Sequence, residues 1–178
     1  FGRNKLEAVV DGKSLLRRSL EAVPAEEFAQ VTVVTQYDAA AALAEEFGFT
    51  VVRNDRPEDG LSRTVRLGTE AMAGCGAILY QVADQPLLEQ ETVRRELEYF
   101  RTHPDHIVGL AHNGVRGNPC IFPRKFFPEL MALEGDVGGN VVIRAHPEEL
   151  LLYETSAAEL RDVDTVEALA AVQEDRQI

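Results

Sequence analysis

The sequence is short of positive charge: 18 Lys and Arg stand against 30 Asp and Glu, a formal net charge of −12. Nucleic-acid binding draws its affinity largely from basic side chains that neutralise phosphates, so an acidic chain is a poor match to that backbone. A small anionic ligand stays within reach, because one or two local cations, backbone amides and a metal suffice for it. Cysteine is nearly absent, with only Cys75 and Cys120, far apart and outside any Cys/His cluster. That excludes a zinc-ribbon framework and fits a reducing cytosol, with both thiols read as small buried residues. Long apolar runs are missing too; Ala77-Ile78-Leu79-Tyr80 is typical and far too short to span a bilayer. The opening Phe1-Gly2-Arg3-Asn4-Lys5 holds no apolar signal-peptide core. A cytoplasmic protein without membrane or nucleic-acid partners is expected.

What is present fits one ordinary domain. With 178 residues, 45% hydrophobic and 27% charged, the chain can bury a normal core. No repeat, low-complexity tract or linker divides it. Short β-branched runs predict strands at 31–35, 50–53, 77–82, 107–111, 120–122, 150–153 and, briefly, 160–163. Amphipathic stretches predict helices at 39–47, 61–72, 91–101, 124–133, 138–146 and 165–172. Tyr37-Asp38 opens the first helix and Gly48 stops it. Asp164 and Glu167 stand at capping-box spacing before the last. Such alternation predicts an α/β fold with a largely parallel sheet covered on both faces. Right-handed crossovers gather the strand-to-helix loops at one edge, where ligands of such sheets bind.

Candidate chemistry therefore belongs just after strands. Val82-Ala83-Asp84-Gln85-Pro86 runs an apolar strand into an aspartate, and Pro86 keeps the strand from continuing. Asp84 suits a hard cation such as magnesium, or it simply caps its turn. Asn54 to Ser62 is a polar loop entering a helix at Gly60, Leu61 and Ser62, where backbone amides suit a phosphate or a base edge. The plain alternative is a surface loop with a serine cap. Arg116-Gly117-Asn118-Pro119 forms a rigid polar turn near the ligand edge, after a hairpin turn at His112-Asn113-Gly114. Gly135-Asp136-Val137-Gly138-Gly139 offers amides to an anion but lacks the Gly-Lys-Ser/Thr of a phosphate loop. Asp162-Val163-Asp164-Thr165 places alternating carboxylates before the last helix, for a metal or for capping. Phe1 to Leu6 sets a glycine beside Arg3 and Lys5, as a triphosphate would need or as termini often are. No Ser-His-Asp or Cys-His system is visible, and the four histidines are scattered.

In order along the chain, these fragments resemble the molybdenum cofactor cytidylyltransferase and MobA-like nucleotidyltransferase family. Phe1-Gly2-Arg3-Asn4-Lys5-Leu6 is similar to the tail of its opening motif L-A-A-G-x-S-x-R-F-G-x-x-K-L. Asn54 to Ser62 resembles its N-P-x-x-x-x-G-M/L-S segment, with Asp55 where proline is usual. Ala83-Asp84-Gln85-Pro86 resembles its G-D-Q/M-P box, with Ala83 for glycine. The segments at Arg116, Gly135 and Asp162 resemble R-G-H/N-P, G-D-x-G-A/G and D-I-D-T. The resemblance spans the whole chain and implies a Rossmann-like nucleotidyltransferase fold, with a mostly parallel mixed sheet and helices on both faces. It implies magnesium held by Asp84 and Asp164, with Asp84 and Lys5 catalytic. Lys5 and Arg3 would face the triphosphate, and Asn54, Gly60, Leu61 and Ser62 would border the nucleotide. Asn118 and Pro119 would lie toward the acceptor.

The implied reaction is attack of the molybdopterin phosphate on a nucleoside triphosphate, CTP being favoured, with release of pyrophosphate. A guanylyltransferase, a sugar- or polyol-phosphate nucleotidyltransferase and a non-catalytic accessory protein are the alternatives. A molybdenum hydroxylase or its maturation factor is the implied partner. The family's first, central strand and its glycine-rich loop precede the matched motif. Losing a central strand exceeds the ~5–15 kcal/mol that holds a domain together. An upstream segment is therefore expected, and weak nucleotide binding without it.

Overall fold

A computed structural model describes residues 5–175. After a helical turn at Lys5–Glu7, β1 (Val9–Val10) and β2 (Lys13–Ser14) make a small antiparallel hairpin. Its turn sets Asp11 and Gly12 at φ 49° and 78°, left-handed values that Asp and Gly tolerate best. α1 (Leu15–Glu21) follows directly, because the Ser14 hydroxyl accepts the amide of Arg17 and caps it. The Val-Thr-rich segments then become β3 (Thr32–Thr35) and β4 (Thr50–Arg53), a parallel pair linked by α2 (Asp38–Glu46). Gly48 at φ 75° ends that helix.

α3 (Leu61–Ala71), β5 (Ala77–Tyr80) and α4 (Gln90–Thr102) continue the alternation. β6 (Ile107–His112) turns through Asn113 and Gly114 into β7 (Val115–Pro123). α5 (Phe127–Met131), α6 (Asn140–Ala145), β8 (Leu150–Glu154) and α7 (Val166–Asp175) complete the chain. The second sheet has the order β5-β7-β6-β8, with β7 antiparallel to β5 and β6 and with β8 parallel to β6. β5, β6 and β8 thus run one way, and β7 alone opposes them.

The pleat sorts side chains into two layers. Ile78, Ile107, Cys120 and Phe122 face α5 and α6 with Leu130 and Ile143, while Val108, Leu110 and Ile121 face α4 with Val93 and Leu97. β6 is buried on both faces; each fully buried Ile, Val or Leu there contributes ~1.5–3 kcal/mol. Sheet and helices on both faces match the expected architecture.

Several local expectations need correction. Residues 160–163 are not a strand; their backbone turns so that the Val163 amide donates to the Asp84 carbonyl at 2.9 Å. α7 is capped by the Thr165 hydroxyl, which accepts the Ala168 amide, rather than by Asp164. Arg116 to Pro119 lie within β7 and are no turn; the reversal lies earlier, at Asn113-Gly114. The 124–133 helix begins as a tighter turn at Arg124–Phe126 before α5.

Candidate functional site

Beyond β5 the chain runs on through Gln81 and Val82 to Asp84. Ser19 of α1 holds that stretch: its hydroxyl donates to the Val82 carbonyl at 3.1 Å, and the Gln81 amide donates to the Ser19 carbonyl at 2.8 Å. Asp84 is therefore fixed at the carboxyl edge, with its side chain 19% exposed. The Lys5 ammonium donates to Asp84 Oδ2 and to Asp164 Oδ1, each at 2.8 Å. The backbone bond from Val163 to Asp84 brings both aspartates of the Asp162-Val163-Asp164 segment alongside.

The three acids lie within reach of one another's charge. Burial pushes the Asp162 carboxyl above its usual range, and the charges of Asp84 and Asp164 add to this while Lys5 opposes it. Burial alone would depress Lys5, yet its bonds to Asp164 and Asp84 outweigh that and raise it. Two carboxylates thus bond one ammonium, and the third feels their charge without touching it. Hard oxygens with surplus negative charge suit a divalent cation such as Mg²⁺ or Mn²⁺, and Asp84 and Asp164, bridged by Lys5, are the residues that would hold one. Sequence reasoning names Asp162 among the alternating carboxylates before the last helix but assigns only Asp164 to the metal; its signal is that alternation, two positions from Asp164.

Next to Lys5, Leu6 lines a hollow of about 300 Å³ with Tyr37, Asn54, Gly60, Leu61 and Asp136. Two adjacent residues thus join the acidic cluster to this pocket. Asn54 is buried and organises the loop: its Oδ1 accepts the Arg56 amide and Arg63 Nε, and its Nδ2 donates to Thr64. The amides opening α3 are already occupied. Leu61 N donates to Asp136 Oδ1 at 3.1 Å and Ser62 N to the Gly135 carbonyl at 3.2 Å. The expectation that these amides lie open to a phosphate is corrected: the Gly135-Asp136 loop caps them. Ser62 is fully buried with its hydroxyl unpartnered, so it is neither a surface cap nor part of the pocket wall. Leu61 is half exposed and does line the pocket.

Asn118 and Pro119 are joined by a cis peptide within β7. Because Tyr80 pairs with Cys120, both lie alongside the extension of β5 toward Asp84. Pro119 is buried and Asn118 half-buried. Arg116, on the same strand, reaches Asn140 and donates to Cys120 Sγ at 3.1 Å. Arg3 lies outside the described residues.

Cys120 has no nucleophilic part here, since burial pushes its thiol up to about 11. A separate group, His146, Glu148 and Glu149, could also gather a cation. It sits at the amino end of β8, away from Asp84, and His146 and Glu149 already pair with Glu129 and Lys125. No helix among the described residues is long and apolar enough to cross a membrane.

An α/β domain with acids and a lysine at its carboxyl edge, beside a small pocket built from a strand-to-helix loop, has the layout of a nucleotidyltransferase. Residues 1–150 match the model of the MobA-like NTP transferase domain, so the chain belongs to that family and its class of activity is nucleotidyl transfer. No curated protein matches it by sequence. Solved structures are similar across almost its whole length. Rv0371c of Mycobacterium tuberculosis in complex with manganese is 22% identical, with 97% of this chain and 93% of that one covered and a TM-score of 0.75. The 4-diphosphocytidyl-2C-methyl-D-erythritol synthase of Anaerococcus prevotii is 14% identical, with 96% and 88% covered and a TM-score of 0.78. The molybdopterin-guanine dinucleotide biosynthesis protein A of Archaeoglobus fulgidus is 15% identical, with 99% and 92% covered and a TM-score of 0.68. At these identities the likeness is one of fold.

Proposed function

We propose that the protein transfers a nucleotidyl group, CTP being the favoured donor, to the phosphate of molybdopterin and releases pyrophosphate. The observation that carries this reading is Lys5 held between Asp84 and Asp164 next to the Leu6–Asn54–Leu61 pocket. The pocket takes the nucleoside and the acidic cluster lies where its phosphates project. Lys5 exchanges a carboxylate partner for a phosphate oxygen, so its charge is present before the triphosphate arrives and is not desolvated anew. Such a transfer needs charge neutralisation and in-line positioning more than a protein nucleophile, which fits the lack of an activated Ser or Cys. Mg²⁺ held by Asp84 and Asp164 would supply neutralisation of the triphosphate charge. Arg3, Asn54, Gly60, Leu61 and Ser62 serve the nucleotide, the buried Asn54 and Ser62 by shaping the loop. Asn118 and Pro119 face the acceptor side, with Arg116 beside them.

On this reading the protein works in the cytoplasm and hands its product to a molybdenum hydroxylase or a maturation factor. The test is a thermal-shift panel of the four nucleoside triphosphates with Mg²⁺, followed by pyrophosphate release with molybdopterin. CTP should give the largest shift and sustain release. A larger response to GTP indicates guanylyl transfer. Release with a sugar or polyol phosphate but not molybdopterin would overturn the acceptor, and cofactor binding without triphosphate binding would mark a delivery protein.

A further inference from the structure

β6 and β8 run parallel with Ile107 beside Leu150, so the residues just ahead of them, His106 and the 146–149 segment, meet at the sheet edge opposite Asp84. One ligand atom each from His146, Glu148 and Glu149 lies within 4.8 Å of the others. The group is not merely acidic, because His146 is aimed. Its Nε2 lies 2.7 and 2.9 Å from the two carboxylate oxygens of Glu129 on α5, and its ring packs edge-on against Phe126 at 5.1 Å between centroids. An ionised carboxylate only accepts, so Nε2 carries the hydrogen and Nδ1 keeps the lone pair. Glu148 Oε1 lies 4.0 Å from that Nδ1. A carboxylate holding the far nitrogen of an imidazole is the arrangement that orients metal-bound histidines. A second observation is independent of this bond. His106 Nδ1 and Glu149 Oε2 are both shielded from solvent without a hydrogen-bond partner, and His106 stands close enough for its charge to act on Glu149. Shielded polar atoms left without partners call for an ion or a water.

We propose that His146 Nδ1, Glu148 and Glu149 form a second metal site, for Zn²⁺, separate from the acidic cluster at Asp84. One imidazole and two carboxylates suit zinc, whereas the all-oxygen pair of Asp84 and Asp164 suits magnesium or manganese. Zn–N and Zn–O bonds of ~2.0–2.2 Å put tetrahedral donors about 3.4 Å apart, so the donors close by about 1 Å on binding. The glutamates are free to make that movement, with side chains 68% exposed at Glu148 and 30% at Glu149. Three protein ligands leave the fourth position to a water. Lys125 is the counter-charge an arriving ion meets: its Nζ lies 2.5 Å from Glu149 Oε2. The bound ion ties α5, through Glu129 and His146, to the turn that begins β8. The site stands a strand's length from the nucleotide pocket and does not depend on which donor or acceptor the protein uses.

Calorimetric titration with Zn²⁺ tests this in the Asp84→Asn protein, with excess Mg²⁺ present to fill what remains of the acidic cluster. One Zn²⁺ should bind per chain. In the same background His146→Ala should weaken binding at least ~10-fold, and Glu129→Ala, which frees the imidazole without removing a ligand, should cost ~10–100-fold. Lys125→Met should tighten binding, because the competing charge is gone. Nitrogen NMR of the histidine ring gives the signature that packing alone does not produce. Without metal, His146 should carry its proton on Nε2; Zn²⁺ should shift Nδ1 and leave Nε2 protonated. Zn²⁺ binding that survives His146→Ala, a shift at Nε2 in place of Nδ1, or no binding under these conditions overturns the proposal. Should His146→Ala not fold, the ring spectrum with and without Zn²⁺ decides by the same two outcomes.

Discussion

Replacing Gly60 by Ala tests how the pocket is built. Gly60 has φ 88° and ψ −179°, a region closed to residues with a Cβ, and occupying it costs ~1–3 kcal/mol. The added methyl carbon would lie 2.6 Å from the Gly135 carbonyl oxygen, 2.7 Å from its carbon and 2.8 Å from the Asp136 Cα. All three are backbone atoms, so relief requires the 135–136 loop to move as a whole. Movement breaks the caps that Asp136 and Gly135 give to Leu61 and Ser62, each worth ~0.5–1.5 kcal/mol. Strain and lost caps together come to about 3 kcal/mol. For a domain of this size that is about 6–12 °C in thermal midpoint. Differential scanning calorimetry reads the midpoint, and triphosphate titration reads the pocket, whose affinity should fall alongside. A midpoint within about 1 °C of wild type with unchanged affinity would refute the reasoning, because the 135–136 loop would then not hold the entry to α3.

Three further outcomes follow from the charges. Asp162 has a raised carboxyl, so the folded state binds its proton more tightly than the unfolded one, and stability is lost as pH rises from the ordinary Asp range through the raised value. Asp162→Asn should raise the metal-free midpoint at pH 7 and shrink the stabilisation given by added Mn²⁺; a lower midpoint contradicts the shared acidic space. Glu96 is fully buried, neither carboxyl oxygen has a hydrogen-bond partner, and burial holds it protonated well above the usual carboxylate range. Denaturation against pH should show wild type weakening toward alkaline pH while Glu96→Gln stays flatter; identical profiles contradict the assignment. Thiol titration of the native protein should find Cys75 reacting first and Cys120, raised to about 11, far more slowly.

Much of this fold was legible because its signals are local. β-branched runs such as Val31 to Thr35 and the helical spacing after Leu61 specify elements within a few residues, and Gly48 marks a stop. Asp84 was legible because an apolar strand runs into it before a proline. The spatial order of strands was not, since pairing β7 between β5 and β6 depends on contacts from Ile78 to Phe122 across the sequence. The same holds for the caps on α3, where Asp136 bonds Leu61 from 75 residues away. β1, β2 and α1 went unassigned, although Asp11-Gly12 is a hairpin signal and Ser14 a cap. Residues 160–163 read as a short strand; the bond from Val163 to Asp84 holds them instead as a bent segment at the site.

The account rests on Asp84 as the carboxylate about which the phosphates are organised. The direct measurement is pyrophosphate release from CTP and molybdopterin by the Asp84→Asn protein. Metal-assisted charge neutralisation is worth several kcal/mol, so kcat should fall by ~10²-fold or more while the thermal midpoint stays near or above wild type. Near-normal turnover in Asp84→Asn would contradict the central claim.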